Sequence, residues 1–342
     1  METLTILQII WFILIGVLFV GYSVLDGFDL GVGSLLPFLA GSDEKKTEVL
    51  MKSVGPVWDG NEVWLLTGGG ALFAAFPHAY ATVFSGFYLA LMLVLVGLIL
   101  RAVSIEFYMN DEHKARWRIA FFLGTLIPSI LFGVALGNVV QGIPLDNKME
   151  FTGNFFTLLR PFPLSLGLLG LFAILMQGVT YTILKTDSEL NEKAYSLSGK
   201  IYYGYIIMFI LAIIASFIFI PDKICNVWAW IATAIFIISM VWLKLSLAAK
   251  KEMKAFLASS LAFISLWGIT GAIHFPNLVS AGDGAFLARA TGDSTLNITI
   301  KNASSSELTL TVMLIIAVIG MPIVIAYTAY AYKIFRGKIT LK

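Results

Sequence analysis

Charge is scarce in this 342-residue chain, and cysteine nearly absent. Charged residues make up 13% of it, about half the share of a soluble domain. Cys225 is the single cysteine, so an internal disulfide is excluded. The net charge of +2 is too small for a nucleic-acid partner. There are three histidines, His78, His113 and His274, and no two share a helical face within one apolar run. Metal or haem ligation by this chain is therefore not expected. Gly68–Gly70 lacks the following Lys and Ser/Thr of a phosphate-binding loop, and Gly31 and Gly33 do not complete a dinucleotide fingerprint. No Ser/His/Asp arrangement, low-complexity segment or disordered tail is visible. Strands of alternating polarity are missing, which argues against a membrane β-barrel. The first apolar run lacks a basic leader and a small-residue cleavage site, so it does not read as a cleaved signal peptide.

Apolar residues are what the chain has in excess: 58%, with a mean hydropathy of +0.88. A soluble fold could not hide this much apolar surface. The expectation is an all-α integral membrane protein. Eight continuous runs are long enough to cross a bilayer, near residues 7–25, 80–100, 117–137, 163–184, 201–220, 227–247, 256–275 and 308–332. Four fall in each half, 1–190 and 191–342, which suits a duplicated bundle, although no internal sequence repeat is evident. Lys and Arg number 15 in the even connections and the tail against 8 in the odd connections. The positive-inside rule then puts both ends of the chain in the cytoplasm. The seventh connection, 276–307, reads as external, with its Asn297 and Asn302 sequons taken as chance. The first connection, 26–79, is the odd one. Residues 31–40 could prolong the first helix, with Pro37 near its end. Residues 63–76 are too few to span, and read as a re-entrant or surface-lying helix.

The candidate residues lie mostly in that region. Tyr22, Asp26, Asp29 and Gly33 share one face if the first helix continues. Carboxylates beside an apolar run should face protein or water and could pass protons, whereas Asp-Gly could equally mark a turn. Trp58-Asp59-Gly60-Asn61-Glu62-Val63-Trp64 places two acids between two tryptophans, either an interfacial site or an aromatic anchor with solvated acids. Arg101 ends the second run; snorkelling is the usual reading, an ion pair or a contact at a subunit interface the other. Gly137, Asn138, Gln141, Gly142 and Pro144 at the end of the third run read as packing and interhelical hydrogen bonding.

DGFDLGVG from Asp26, WDGNEVWL from Trp58, GGGALFAAFP from Gly68, FSGFYLA from Phe84, GNVVQGIP from Gly137, TGNFFTLLRPFP from Thr152 and QGVTY from Gln177 resemble subunit II of the cytochrome bd-type quinol oxidases. The resemblance runs over essentially the whole chain and is densest in the first half. The connection at 221–226 is much shorter than in long-loop relatives. The resemblance implies two four-helix bundles in a bacterial plasma membrane, as part of a heterodimeric terminal oxidase that oxidises quinol and reduces oxygen to water. It implies that subunit I carries two b-type haems, one d-type haem and the quinol site, and that subunit II is haem-free. Protons for oxygen reduction would come from the cytoplasm. A structural quinone occurs in some relatives, and a small single-span subunit often accompanies the pair. Asp26, Asp29, Trp58, Asp59 and Arg101 match positions implicated in structure or proton delivery at the subunit interface; Asn61 and Glu62 join them by proximity. Two other readings remain: a secondary transporter, which would be colourless and self-sufficient, and a purely structural membrane scaffold.

Overall fold

The computed structural model describes residues 5–287 and 292–340, apart from the Ser188 side chain. Among these residues the chain forms α1 (Ile6–Leu39), α2 (Glu44–Val54), α3 (Trp58–Ala75), α4 (Pro77–Gly86), α5 (Tyr88–Phe107), α6 (Lys114–Gln141), α7 (Pro161–Lys185), α8 (Ser188–Phe219), α9 (Val227–Ala248) and α10 (Glu252–His274), then β1 (Asn277–Val279), β2 (Ile298–Thr299) and α11 (Glu307–Ile334). Eight helices, α1 and α5 to α11, are long and apolar enough to cross a membrane. They carry the expected runs, except that the second, 80–100, begins in α4 and is interrupted at Phe87 before α5. The two-stranded antiparallel sheet folds the long connection before α11 back on itself.

α1 starts from a capping box, Thr5 with Gln8, and does not stop at Asp-Gly. It continues to Leu39 with Pro37 in its last turn, so the turn reading of Asp26-Gly27 is excluded. At 34 residues it is about 51 Å long, and its last turns outrun the apolar layer to pack against Val49, Leu50 and Val54 of α2. α7 crosses α1 at direct backbone contact. A Cβ on Gly31 would lie 2.2 Å from the Ile174 carbonyl oxygen, and one on Gly178 2.3 Å from the Gly31 carbonyl carbon. Glycine is required at both positions, as at many close crossings in membranes.

The segment expected to be re-entrant or surface-lying is a regular helix, α3, laid antiparallel along α1. Asn61 bonds the Leu25 carbonyl and Asp29; Trp64 covers Gly21 and Gly68 meets Phe19; Ala75 and Phe76 join Trp11 and Ile15. As α3 advances from Asn61 to Ala75, its partners on α1 retreat from Asp29 to Trp11. Its 18 residues cover about 27 Å, close to the thickness of a bilayer core.

Because α3 returns along α1, the described chain starts and finishes at different places in the stack. Trp11 of α1 donates to the Leu310 carbonyl near the start of α11, whereas Tyr332 at the end of α11 donates to Asn61. α1 and α11 therefore run parallel. The start of α1 lies at one end of the helical stack, here the proximal end, and residues 335–340 lie at the other, the distal end. Eight passes alone would have put these two ends together; the helix that separates them in the stack is α3, which the apolar runs left out because its acids and glycines dilute its hydropathy.

Candidate functional site

The polar residues of α1, α3 and α5 converge in the distal half of the bundle. α5 comes close to α6 at Gly97 and Gly124; a Cβ on Gly124 would lie 2.6 Å from the Arg101 backbone nitrogen. Arg101 is 1% exposed. Its Nη1 donates to both oxygens of Asp26, at 2.6 and 2.7 Å, and its Nη2 donates to Glu62 Oε2. The guanidinium also lies 5.8 Å from the Trp58 ring centroid, within cation–π range. Snorkelling is thus ruled out for Arg101, because its charge is neutralised within the chain.

Asp29, one turn after Asp26 and fully buried, is held differently. Asn61 Nδ2 donates to Asp29 Oδ2 at 2.7 Å, and Tyr332 donates to Asn61 Oδ1 at 2.8 Å. Asn61 is thereby clamped in one orientation. Three buried polar atoms of this patch have no protein partner: Asp29 Oδ1, Trp64 Nε1 and Arg101 Nε. Buried polar atoms of this kind call for ordered water. Asp26, Asp29 and Glu62 together bring three carboxyl groups to one guanidinium.

Six of the seven residues singled out by sequence, Asp26, Asp29, Trp58, Asn61, Glu62 and Arg101, therefore form one cluster. Asp59 does not join it. It is exposed in the first turn of α3, on the outward side that continues through Val63, Leu66 and Phe73. Tyr332 was missed, since one tyrosine at the end of an apolar run carries no signal of its own.

A second polar cluster lies at the proximal end. Arg160, the residue before α7, is buried and donates to Asn138 Oδ1 at 3.0 Å and the Gly142 carbonyl at 2.5 Å. Asn138 in turn donates to the Val134 and Leu158 carbonyls. Burial lowers the Arg160 pKa to about 10, with Asp283 opposing. Lys223 donates to the Val140 carbonyl and Ser280 Oγ, both at 2.6 Å, which ties the short α8–α9 connection to α6 and to the chain after β1. Burial lowers its pKa to about 8. The packing role expected for Asn138 and Gly142 is what the geometry displays. Arg160 had been visible only as part of a motif.

Residues 7–335 match the family described as cytochrome bd terminal oxidase subunit II. The chain belongs to that family. It is 34% identical to cytochrome bd-I ubiquinol oxidase subunit 2 of Escherichia coli K12, over 98% of this chain and 96% of the relative. It is 32% identical to cytochrome bd ubiquinol oxidase subunit 2 of Bacillus subtilis 168, over 97% of each. The bd oxidase structure from Geobacillus thermodenitrificans shares the fold, with a TM-score of 0.79 at 18% identity, over 97% of this chain and 99% of that one. As a subunit II, this chain is a multi-pass membrane protein and part of a haem-containing quinol oxidase, and it works with a subunit I in respiratory electron transport.

His113 precedes α6 at the distal end, while His78 and His274 lie on α4 and α10 at the proximal end. None lines either of the cavities at Lys52–Ile339 and Phe87–Leu159. Among the described residues no group of three or more His, Cys, Asp or Glu could hold a metal ion.

Proposed function

We propose that this subunit supports the haem-bearing subunit I and supplies protons to it from the cytoplasm through the Asp26–Asp29–Glu62–Arg101 cluster. The haems, held by the partner, supply electron transfer and oxygen reduction. The observation that carries the reading is the set of three unpartnered buried polar atoms around these acids, since ordered water there would link carboxyl groups that can take and give protons. Arg101 holds Asp26 and Glu62 in place. Asn61 cannot pass a proton through its amide without becoming an imidic acid; its role is to orient Asp29 and leave Oδ1 free. The outward side of α3, with Asp59, together with apolar side chains of α5 and α11 such as Met92, Ile319 and Ile323, is the face we assign to subunit I.

The experiment is Asp29→Asn in the intact heterodimer, with quinol-driven oxygen consumption measured against haem content. A relay predicts turnover down by about tenfold or more at wild-type haem content. The scaffold reading is favoured by the Asp26–Arg101–Glu62 ion pairs, which satisfy one another. It predicts unchanged turnover in Asp29→Asn, and that result would sink the relay. The transporter reading has no support of this kind.

We also infer that α3 is a ninth crossing, that the distal end is cytoplasmic and that α1 starts outside. The two halves of the chain keep the two-bundle arrangement in this reading. Moving Lys45, Lys46 and Lys52 of the α1–α3 connection to the distal side changes the basic count from 15 against 8 to 18 against 5. The positive-inside bias becomes stronger. Arg289 and Lys342, part of both counts, lie outside the described residues. A reporter inserted at Gly41 should give the same signal as one at Asp111; opposite signals would restore the eight-crossing map.

A further inference from the structure

A cavity of about 150 Å³ opens at the distal end, where α2, α7 and α11 finish. Four cations line it, Lys52, Lys185, Arg336 and Lys338, and no carboxyl group does. They come from three separate parts of the chain. Two have an acid nearby outside the lining: Lys52 pairs with Glu48 at 2.6 Å and Lys338 with Glu252 at 2.7 Å. The other two have none among the described residues. Lys185 donates to the Phe335 carbonyl at 2.5 Å and lies 6.0 Å from the Tyr181 ring centroid.

The tail is built into this arrangement. The Ile339 amide donates to the Lys185 carbonyl at 2.8 Å, and Thr186 and Ile339 form a parallel bridge. Gly337, at φ +115°, turns the chain so that Arg336 and Lys338 both border the opening. Like charges gathered around a concave site repel one another, and here backbone bonds hold them there. An anion would relieve that repulsion. Pro56, Val57, Tyr181 and Tyr332 supply an apolar wall beside the charges. The cavity also lies where the apolar stretches of α7 and α11 end, the depth at which lipid phosphates sit.

We propose that this cavity binds a phosphate-type oxyanion, with Lys185 and Arg336 as its main donors and Lys52 and Lys338 at the opening. The oxyanion could be the phosphate of an anionic lipid headgroup or a free phosphate, and the same chemistry serves both. The site is separate from the acid cluster, and its occupancy does not depend on proton delivery or on which end of the bundle faces the cytoplasm.

The test uses the purified, delipidated heterodimer with its haems in place. Phosphatidylglycerol and inorganic phosphate are titrated separately, and bound lipid is counted by native mass spectrometry alongside thermal unfolding. Lys185→Gln/Arg336→Gln should retain one phosphatidylglycerol fewer than wild type and bind the probe at least about tenfold more weakly. Lys193→Gln/Lys200→Gln, on the exposed part of α8 at the same end, should match wild type. Lys185→Arg/Arg336→Lys keeps both charges and should retain binding, which separates loss of charge from loss of fold. Stabilisation by inorganic phosphate alone, with displacement of the lipid, would support the site and assign it to the free anion. Binding of phosphatidylglycerol only would assign it to lipid. Equal retention and equal thermal shifts in wild type and Lys185→Gln/Arg336→Gln would overturn the proposal.

Discussion

Each end of this molecule buries an arginine, and the two are satisfied in opposite ways. Arg101 in the distal half faces Asp26 and Glu62, with Asp29 close behind. Arg160 at the proximal end faces an amide oxygen and a backbone carbonyl. Both are 1% exposed, so burial does not distinguish them. Their partners do. Carboxyl groups carry protons that can leave and return, whereas carbonyl dipoles only hold a charge. The distal cluster has the parts of a relay, and the proximal one those of a clasp that joins α6, α7 and the chain after β1.

The largest effects should come from removing each arginine in turn, because the groups left behind differ. Arg101→Met leaves the Asp26 carboxylate fully buried without its partner, and the partly exposed Glu62 without its own. Breaking a buried pair by removing one partner costs about 3–5 kcal/mol, a large share of a typical folding free energy of about 5–15 kcal/mol. We expect loss of the assembled heterodimer, read as loss of haem absorbance in membranes. Arg160→Met leaves neutral acceptors, at about 1–3 kcal/mol. That variant should assemble, melt several degrees lower and turn over normally per haem. Equal losses in the two variants would remove the distinction between relay and clasp.

Much of this contrast was legible in the sequence, and the illegible part has a physical cause. Asp26, Asp29, Asn61, Glu62 and Arg101 stood out because acids and a guanidinium beside apolar runs demand a reason. What could not be read was that Arg101 finds Asp26, 75 positions earlier in the chain. That pairing depends on α1, α3 and α5 sharing one face of the bundle. The default for an arginine at the end of an apolar run is to reach for water, and nothing local overrides it. α3 stayed outside the eight apolar runs for a related reason. Its glycines lower its hydropathy, yet Gly68 is where Phe19 of α1 meets it. The feature that hides the helix from a hydropathy scan helps it pack. Asp59 stood beside Asp29 in expectation, but it is exposed on α3 and stays out of the buried cluster.

The smallest expected effect sharpens the proximal side of the comparison. If that end only holds charges, its most buried lysine should cost stability whenever it is protonated. Burial brings the Lys223 pKa down to about 8, while in an unfolded chain it titrates near 10.4. Between about pH 8 and 10.4 the unfolded chain therefore keeps a proton that the folded chain has released. Stability contributed by this group rises with pH across that window. Below about pH 8 both states are protonated and the folded state carries the full penalty of a buried ammonium. Lys223→Met removes the titration, although it also gives up the bonds to the Val140 carbonyl and Ser280 Oγ. Melting temperatures of the purified heterodimer, wild type minus variant, cancel the groups that the two proteins share. That difference should move in favour of wild type by a few degrees from pH 7.5 to pH 9.5. A difference that stays flat would mean that the two oxygens hold the ammonium charged throughout, and that the clasp at this end is stronger than burial alone implies.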